Sequence, residues 1–301
     1  MPSALLPVVV WVRNDLRVTD HEALTHAAAS GRPVVPVWID SAEDGAWAPG
    51  AATRWWLHNA LQALAQDLDG LGLRLVLRHG NERAVLGARA RETGATLVVC
   101  NERWEPAARA RDEVIGRELA AQGITVRTFP GTLLWPPDTV LNRQGGPYKV
   151  FTPYWKRVLG EPAPPRPRAA PDHALAPASW PASLQLTELD LLPRPDWAQG
   201  LRDAWRPGSA GAEKNLRGFL DRAVGAYAAE RDRPDRVGTS HLSPHLHTGE
   251  ISARTVWHAL EGVAGGNEVR RQLVWREFAH HLLHHYPHTP DQPLDARFAR
   301  F

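Results

Sequence analysis

The stretch "PVVVWVRNDLRVTDHEALTHAAAS", Pro7–Ser30, decides the fold class, because it joins a continuous apolar run to an amphipathic one. "PVVVWV" is typical of a strand buried on both faces. "HEALTHAAAS" predicts a helix with Asp20 as its N-cap and Gly31 as its end. Further apolar runs predict four more strands: "PVVPVWI" (33–39), "LRLVLRH" (73–79), "TLVVCN" (96–101) and "ITVRTF" (124–129). Because amphipathic segments separate these runs, we expect a doubly wound α/β domain with a parallel sheet.

The composition changes after the fifth strand. Nine of the 26 prolines fall between residues 160 and 200, which favours an extended connector. From about Ser209 onward, apolar residues recur with helical spacing. The sequence therefore predicts an α/β domain over residues 1–131, an extended Pro-rich connector over 132–208 and an all-helical part over 209–301.

Composition excludes several classes of protein. The 301 residues carry a net charge of only +2, and a single cysteine, Cys100, rules out a disulfide framework. No apolar run is long enough to span a bilayer, so we expect a cytoplasmic protein without membrane contact. The residues after the first strand, "RNDLRVTD", contain no glycine-rich fingerprint, and no phosphate-binding Gly-rich loop with Lys-Ser/Thr occurs. A dinucleotide dehydrogenase and a P-loop enzyme are therefore disfavoured.

A polar segment, "GTSHLSPHLHTGEIS" (238–252), stands out in the helical part. It places three hydroxyl side chains, Thr239, Ser240 and Ser243, within five residues. Ser243 before Pro244 predicts a helix N-cap, and Gly249 predicts the end of that short helix. Free N–H groups at such a helix start favour an anion, typically phosphate. The alternative, in which the hydroxyls only cap the helix, is equally compatible with the sequence.

With four further motifs, this segment resembles the DNA photolyase and cryptochrome family, and in particular a class I-like deoxyribodipyrimidine photo-lyase. These motifs are "VWVRNDLRVTDHEAL", "NERWEPAARARD", "YAAERDRP" and "QLVWREFAHHLLHHYP". The resemblance covers the whole chain. It implies a Rossmann-like antenna domain followed by an all-α FAD-binding domain, which is expected to be incomplete because the family continues beyond the position of Phe301.

The resemblance also implies residue roles. FAD would contact Tyr227, Thr239, Ser240, His241, Leu242, Ser243 and Arg276, with Glu277 supporting the cavity. Arg231 would contact a DNA phosphate, while Gln272 and Trp275 would face a flipped-out lesion. Glu105 would serve an antenna chromophore, either methenyltetrahydrofolate or a deazaflavin. No side chain is expected to be catalytic in its own right.

The implied activity is light-dependent repair of cyclobutane pyrimidine dimers by electron transfer from reduced FAD. The partner would be dimer-containing DNA, bound by a monomer. Gln272 stands where dimer-specific photolyases often have glutamate, so the lesion type stays open. Two alternatives also stay open: a cryptochrome-like blue-light sensor without repair activity, and an inactive remnant.

Histidines crowd the end of the chain, including the i,i+4 pairs His280/His284 and His281/His285. No glutamate follows the first histidine in the manner of a zinc-hydrolase motif, so no metal site is expected. The charged turn with Arg13, Asp15, Arg17 and Asp20 is expected to be an ion-pair network.

Overall fold

The computed structural model describes residues 5–41 and 48–300. Within them, five strands form one parallel sheet in the order β3-β2-β1-β4-β5. The strands are β1 (Val8–Val12), β2 (Val34–Asp40), β3 (Val76–His79), β4 (Leu97–Asn101) and β5 (Thr125–Phe129). The order of strands reverses between β1 and β4, which creates a crevice beyond their carboxyl ends.

Helices cover both faces of the sheet. They are α1 (Glu22–Ala29), α2 (Ala51–Asp69), α3 (Glu82–Thr93) and α4 (Pro106–Ala121). Side chains of β1 alternate between two cores, because successive residues of a strand point to opposite faces. Val8 and Val10 pack with Leu61 of α2, whereas Val9 and Trp11 belong to the core that contains residues of α3 and α4. The predicted doubly wound α/β architecture is therefore confirmed.

The second part of the chain is helical. Its helices are α5 (Phe151–Val158), α6 (Gln199–Ala204), α7 (Ser209–Arg222), α8 (Tyr227–Glu230), α9 (Ser243–Thr248), α10 (Ala253–Ala259) and α11 (Gly266–His285). One apolar core joins α7, α10 and α11, with Phe219, Trp257 and Val274 among its buried members. None of the described helices is long and apolar enough to cross a membrane.

The beginning of the predicted connector is not extended. Phe151, Tyr154 and Val158 share one face of α5 and are buried in the core of the helical part. Their i, i+3, i+7 spacing makes an apolar stripe, and Pro153 lies in the first turn of the helix, where its missing N–H costs no helical hydrogen bond. Residues 162–171 contain no helix or strand, as the prolines predict. The connector then lies along the α/β domain, and the backbone N–H of Val34 in β2 donates to Leu175 O of the connector at 2.8 Å. The three-part division of the chain remains a prediction.

Two predicted helix caps are wrong. His21, not Asp20, caps α1, because its Nδ1 accepts from the backbone N–H of Leu24 at 3.1 Å. The carboxylate of Asp20 instead pairs with the buried guanidinium of Arg254 at 2.8 Å. Ser243 is the first residue of α9 rather than its N-cap, and its side chain makes no capping hydrogen bond.

Candidate functional site

A cavity of about 730 Å³ lies between the α/β part and the helical part. Its α/β wall comes from the turn after β1, including Arg13 and Asp15, and from the carboxyl end of β4 with residues 102, 103 and 105 after it. Its helical wall comes from α8, α9, α11 and the segment before α9. The volume falls within the range of about 300–1,000 Å³ that is typical of cofactor sites. The position is the crevice at the switch point of the sheet, where open α/β sheets bind ligands.

Most of the residues singled out in the sequence meet in this cavity. They are Glu105, Tyr227, Thr239, Ser240, His241, Leu242, Ser243, Gln272 and Arg276. Two others, Arg231 and Trp275, are not part of its lining. Glu105 is exposed and immediately precedes α4, where its Oε2 accepts from the backbone N–H of Trp104 at 3.2 Å. The ligand assigned to each of these residues remains a prediction.

The turn after β1 holds the polar segment in place. Leu16 N–H donates to Thr248 O at 3.1 Å, and the Arg17 guanidinium donates to Gly249 O at 2.8 Å. Gly249 has φ +74° and ends α9 as predicted. A Cβ at Gly249 would lie 2.1 Å from the carbonyl oxygen of Asn14, so only glycine allows this approach.

The expected ion-pair network is present in the same turn. Arg13 pairs with Asp112 at 3.0 Å, and Asp15 lies 3.2 Å from His21 Nε2. Although burial opposes ionisation of Asp15, His21 and Arg13 hold its pKa well below the usual range. Asp15 therefore contributes a negative charge at the bottom of the cavity at neutral pH.

The polar segment offers hydrogen-bond donors to the cavity. His241 adopts φ +53°, in the left-handed region, and Ser240 Oγ accepts from the backbone N–H of Leu242 at 3.4 Å. Within residues 5–41 and 48–300, the hydroxyls of Thr239 and Ser243 have no hydrogen-bonding partner. These two hydroxyls are therefore available to a ligand.

Arg276 and Glu277 connect α11 to the segment that follows β5. Arg276 Nη1 donates to Thr132 O and to Glu277 Oε1, both at 3.0 Å. Glu277 is almost fully buried, and its Oε2 accepts from Leu134 N–H at 2.7 Å. Burial raises the pKa of Glu277 to about 7, although Arg276 and the backbone N–H groups act in the opposite direction. Glu277 thus holds Arg276 at the cavity wall without lining the cavity itself.

Trp205 and His280 are among the cavity residues that sequence reasoning did not assign to the site. Trp205 follows α6 and lies edge-on to Trp56, with ring centroids 5.5 Å apart. Trp56 is buried, and its Nε1 donates to Glu250 Oε1 at 2.7 Å. His280 also lines the cavity, and burial together with Arg276 lowers its pKa to about 4. Trp205 lacks a sequence signal because it falls in the irregular connector, whereas His280 lies eight residues after Gln272 on α11.

Trp275 and Arg231 lie on the surface. Trp275 is 45% exposed and stacks on Phe151, with ring centroids 3.6 Å apart and planes at 9°. Arg231 pairs with Asp232 at 3.2 Å, and its guanidinium lies 5.8 Å from the ring centroid of Tyr227. Because Tyr227 lines the cavity, Arg231 is placed next to the cavity wall.

Asp138, His284 and His285 lie within metal-ligand reach of one another. His284 is already engaged on both ring nitrogens, by Asp138 at 2.6 Å and by the Arg109 guanidinium at 3.0 Å. A cation there would have to displace the arginine that contacts the same ring. The geometry of His284 therefore fits a hydrogen-bonded contact between α4 and α11.

Comparison with known proteins identifies the family. The family model described as DNA photolyase matches residues 8–172, more than half of the chain. A deoxyribodipyrimidine photo-lyase from Agrobacterium fabrum is 42% identical, over 98% of this chain and 63% of that protein. Cryptochrome-2 of Arabidopsis thaliana is 34% identical, over 95% of this chain and 50% of that protein.

A solved structure, described as a bacterial class III photolyase from Agrobacterium tumefaciens, has a TM-score of 0.95 and 41% identity. The match covers 99% of this chain and 63% of the solved one, so the chain spans less than two thirds of the length of these relatives. The extent of the family match and these relatives show that the chain belongs to the DNA photolyase and cryptochrome family.

Proposed function

We propose that the protein carries out light-dependent repair of cyclobutane pyrimidine dimers in DNA, with reduced FAD as the electron donor. The observation that carries this proposal is the meeting of the polar segment, Tyr227 and Arg276 around one cavity of cofactor size. The photo-lyase relatives support it. The subclass expected from the motifs was class I-like, whereas the Agrobacterium structure is described as class III.

The cavity fits FAD in the chemistry of its donors. The open hydroxyls of Thr239 and Ser243 suit the oxygens of a diphosphate, and the Arg276 guanidinium supplies a positive charge. Leu242 and Tyr227 add a buried apolar wall that excludes water. When bound, FAD would supply light absorption and electron donation, and the protein would bind and orient it.

Side chains next to the cavity fit a nucleic-acid partner. Gln272 lines the cavity, and Trp275 lies three residues further along α11, with much of its ring in solvent. Exposed aromatic rings provide stacking surfaces for unpaired bases, and a half-buried surface arginine such as Arg231 supplies a positive charge that suits a phosphate. We therefore assign Gln272 and Trp275 to the lesion and Arg231 to the backbone of the DNA, with a cytoplasmic monomer as the functional form.

We assign the antenna chromophore to the α/β domain, next to Glu105. Glu105 lies there, beyond the carboxyl end of β4, with its side chain exposed. Methenyltetrahydrofolate and a deazaflavin are the two candidate chromophores. Incubation of the protein with each compound, followed by gel filtration and an absorption spectrum, distinguishes them; we expect Glu105→Gln to weaken retention of the one that binds.

The cofactor assignment is tested by absorption spectroscopy. The protein is incubated with FAD, separated from excess FAD and examined for a structured flavin band. We expect a stoichiometric band, and a loss of affinity of about tenfold or more when Thr239, Ser240 and Ser243 are replaced together by Ala, because each lost hydrogen bond costs about 0.5–1.5 kcal/mol. Thr125→Ala, an exposed threonine of β5, is the matched control. Absence of retained flavin would contradict the assignment.

The repair activity is tested on an oligonucleotide that contains one cyclobutane thymine dimer. We expect repair under blue light and none in darkness. Equal repair in darkness would refute the proposal. The cryptochrome-like alternative predicts retained flavin, no repair in light, and equal affinity for damaged and undamaged DNA. The inactive remnant predicts neither flavin retention nor repair.

A further inference from the structure

An aromatic stack connects α5 to α11 on the surface next to the cavity. Phe151, the first residue of α5, is 4% exposed and lies flat beneath Trp275, with centroids 3.6 Å apart and planes at 9°. Phe278, one turn along α11 from Trp275, contacts both rings edge-on, with centroids 5.8 and 5.9 Å away. Trp155 of α5 is nearly parallel to Phe151 at 6.5 Å.

This arrangement determines which face of Trp275 is open. One face of the indole is covered by Phe151 and one edge by Phe278. The 45% of the side chain that remains exposed therefore includes the face opposite Phe151. An exposed tryptophan on an unsupported helix surface would populate several rotamers, and ordering it on binding would reduce the affinity. The Phe151 ring removes that cost in advance by holding the indole in one orientation.

The chemical surroundings of the stack suit a nucleic acid rather than a protein partner. The guanidinium of Arg271 lies 5.8 Å from the Phe151 centroid and is exposed. No ion-pair partner of Arg271 occurs within the part of the chain that the structure describes. An aromatic face with a neighbouring unpaired arginine matches the combination that binds single-stranded or flipped-out bases and their phosphates.

We infer that Phe151 is a positioning residue for Trp275: it holds the indole as a rigid stacking surface for an unstacked base, and α5 is thereby part of the DNA-binding surface. This inference rests on the proposed function. It assigns a role to a segment whose sequence predicted only a connector. Phe151 itself is buried beneath the indole and would not touch the base.

The test compares Phe151→Leu, which keeps apolar volume but removes the flat ring, with Phe151→Tyr, which keeps the ring. Trp275→Ala measures the full contribution of the indole. Affinity is measured for a fluorescent single-stranded oligonucleotide carrying one cyclobutane thymine dimer. In parallel, 19F NMR of protein labelled with 5-fluorotryptophan reports on Trp275, whose resonance is assigned by its loss in Trp275→Ala.

We expect Trp275→Ala to weaken binding about 5- to 150-fold, the range for loss of one base-aromatic stack. Phe151→Leu should weaken it about 3- to 10-fold and shift the Trp275 resonance, whereas Phe151→Tyr should restore both. Phe151→Met, which fills the volume without a flat face, takes the place of Phe151→Leu if that variant does not fold.

Two results would overturn the role of Phe151: wild-type affinity and an unchanged Trp275 resonance in the Leu or Met variant, or a Tyr variant as weak as the Leu variant. A different result would contradict the proposed function itself. If Trp275→Ala binds the oligonucleotide as tightly as wild type, Trp275 is not a DNA-stacking residue, and the role inferred for Phe151 is overturned with it.

Discussion

Replacing the buried carboxylate Glu277 by glutamine should change how stability depends on pH. Glu277 is 1% exposed, accepts from Leu134 N–H at 2.7 Å and contacts Arg276 at 3.0 Å. Burial raises its pKa to about 7, from an ordinary value of 4.5. Between these two pH values the folded protein holds a proton that the unfolded chain has lost. The free energy of unfolding therefore decreases as the pH rises through this window.

The size of the effect follows from the same pKa. Each pH unit of the window contributes 1.36 kcal/mol, so the window from 4.5 to about 7 corresponds to about 3 kcal/mol. Glu277→Gln resembles the protonated side chain in shape and has no proton to lose. Moving from pH 4.5 to pH 8, we expect the stability of wild type to decrease by about 3 kcal/mol relative to the variant. Other titrating groups, such as His280 and His281, are common to both proteins and cancel in this difference.

The assay is urea-induced unfolding, followed by tryptophan fluorescence, at pH 5, 6, 7 and 8. Glu268→Gln, which removes an exposed carboxylate from the same helix, is the matched control. Its difference from wild type should stay within about 0.5 kcal/mol throughout. A difference between wild type and Glu277→Gln that does not change from pH 5 to pH 8 would refute the reasoning, because it would mean that Glu277 ionises as readily inside the protein as in water.

Three further predictions concern Gly249, His281 and Arg17, which are all buried. Gly249→Ala should destabilise the protein by more than about 1 kcal/mol and weaken flavin retention, because its Cβ would lie 2.1 Å from the Asn14 carbonyl oxygen. The control is Gly262→Ala, because Gly262 has a similar φ of +72° and open space around it. Equal urea midpoints for the two variants would contradict the role of this contact. Burial lowers the pKa of His281 to about 4, so the unfolded chain binds more protons between pH 4 and 6.5, and stability should decrease as the pH falls through that window. Across that range the free energy of unfolding of wild type should decrease by about 3 kcal/mol relative to that of His281→Gln. The prediction is wrong if the free energies of unfolding of the two proteins change with pH in parallel. Arg17→Met should lower the free energy of unfolding, measured with urea, by about 2–5 kcal/mol, because three buried backbone carbonyls lose a charged donor. A decrease of less than about 1 kcal/mol would contradict this prediction and show that water replaces the guanidinium.

Local patterns were sufficient for the α/β part of the chain. Each strand predicted from an apolar run is present, and its last residue lies within one or two residues of the predicted one. Only β3 begins three residues later than predicted, at Val76. Gly249 ends α9 as expected, because a left-handed residue at a helix end is a local preference for glycine. The motif "GTSHLSP" also pointed to the segment that lines the cavity. These features depend on side-chain periodicity and turn chemistry, which act over a few residues.

Tertiary packing determined the features that local patterns did not predict. Asp20 is drawn away from its helix by Arg254, which lies 234 positions later, and Phe151 lies beneath Trp275 only because α5 packs on α11. The cavity itself joins the carboxyl end of β4 to α11, and Trp205 reaches it from an irregular segment. Such contacts arise from how whole elements bury their apolar faces against one another, and no periodicity along the chain encodes which residues then meet.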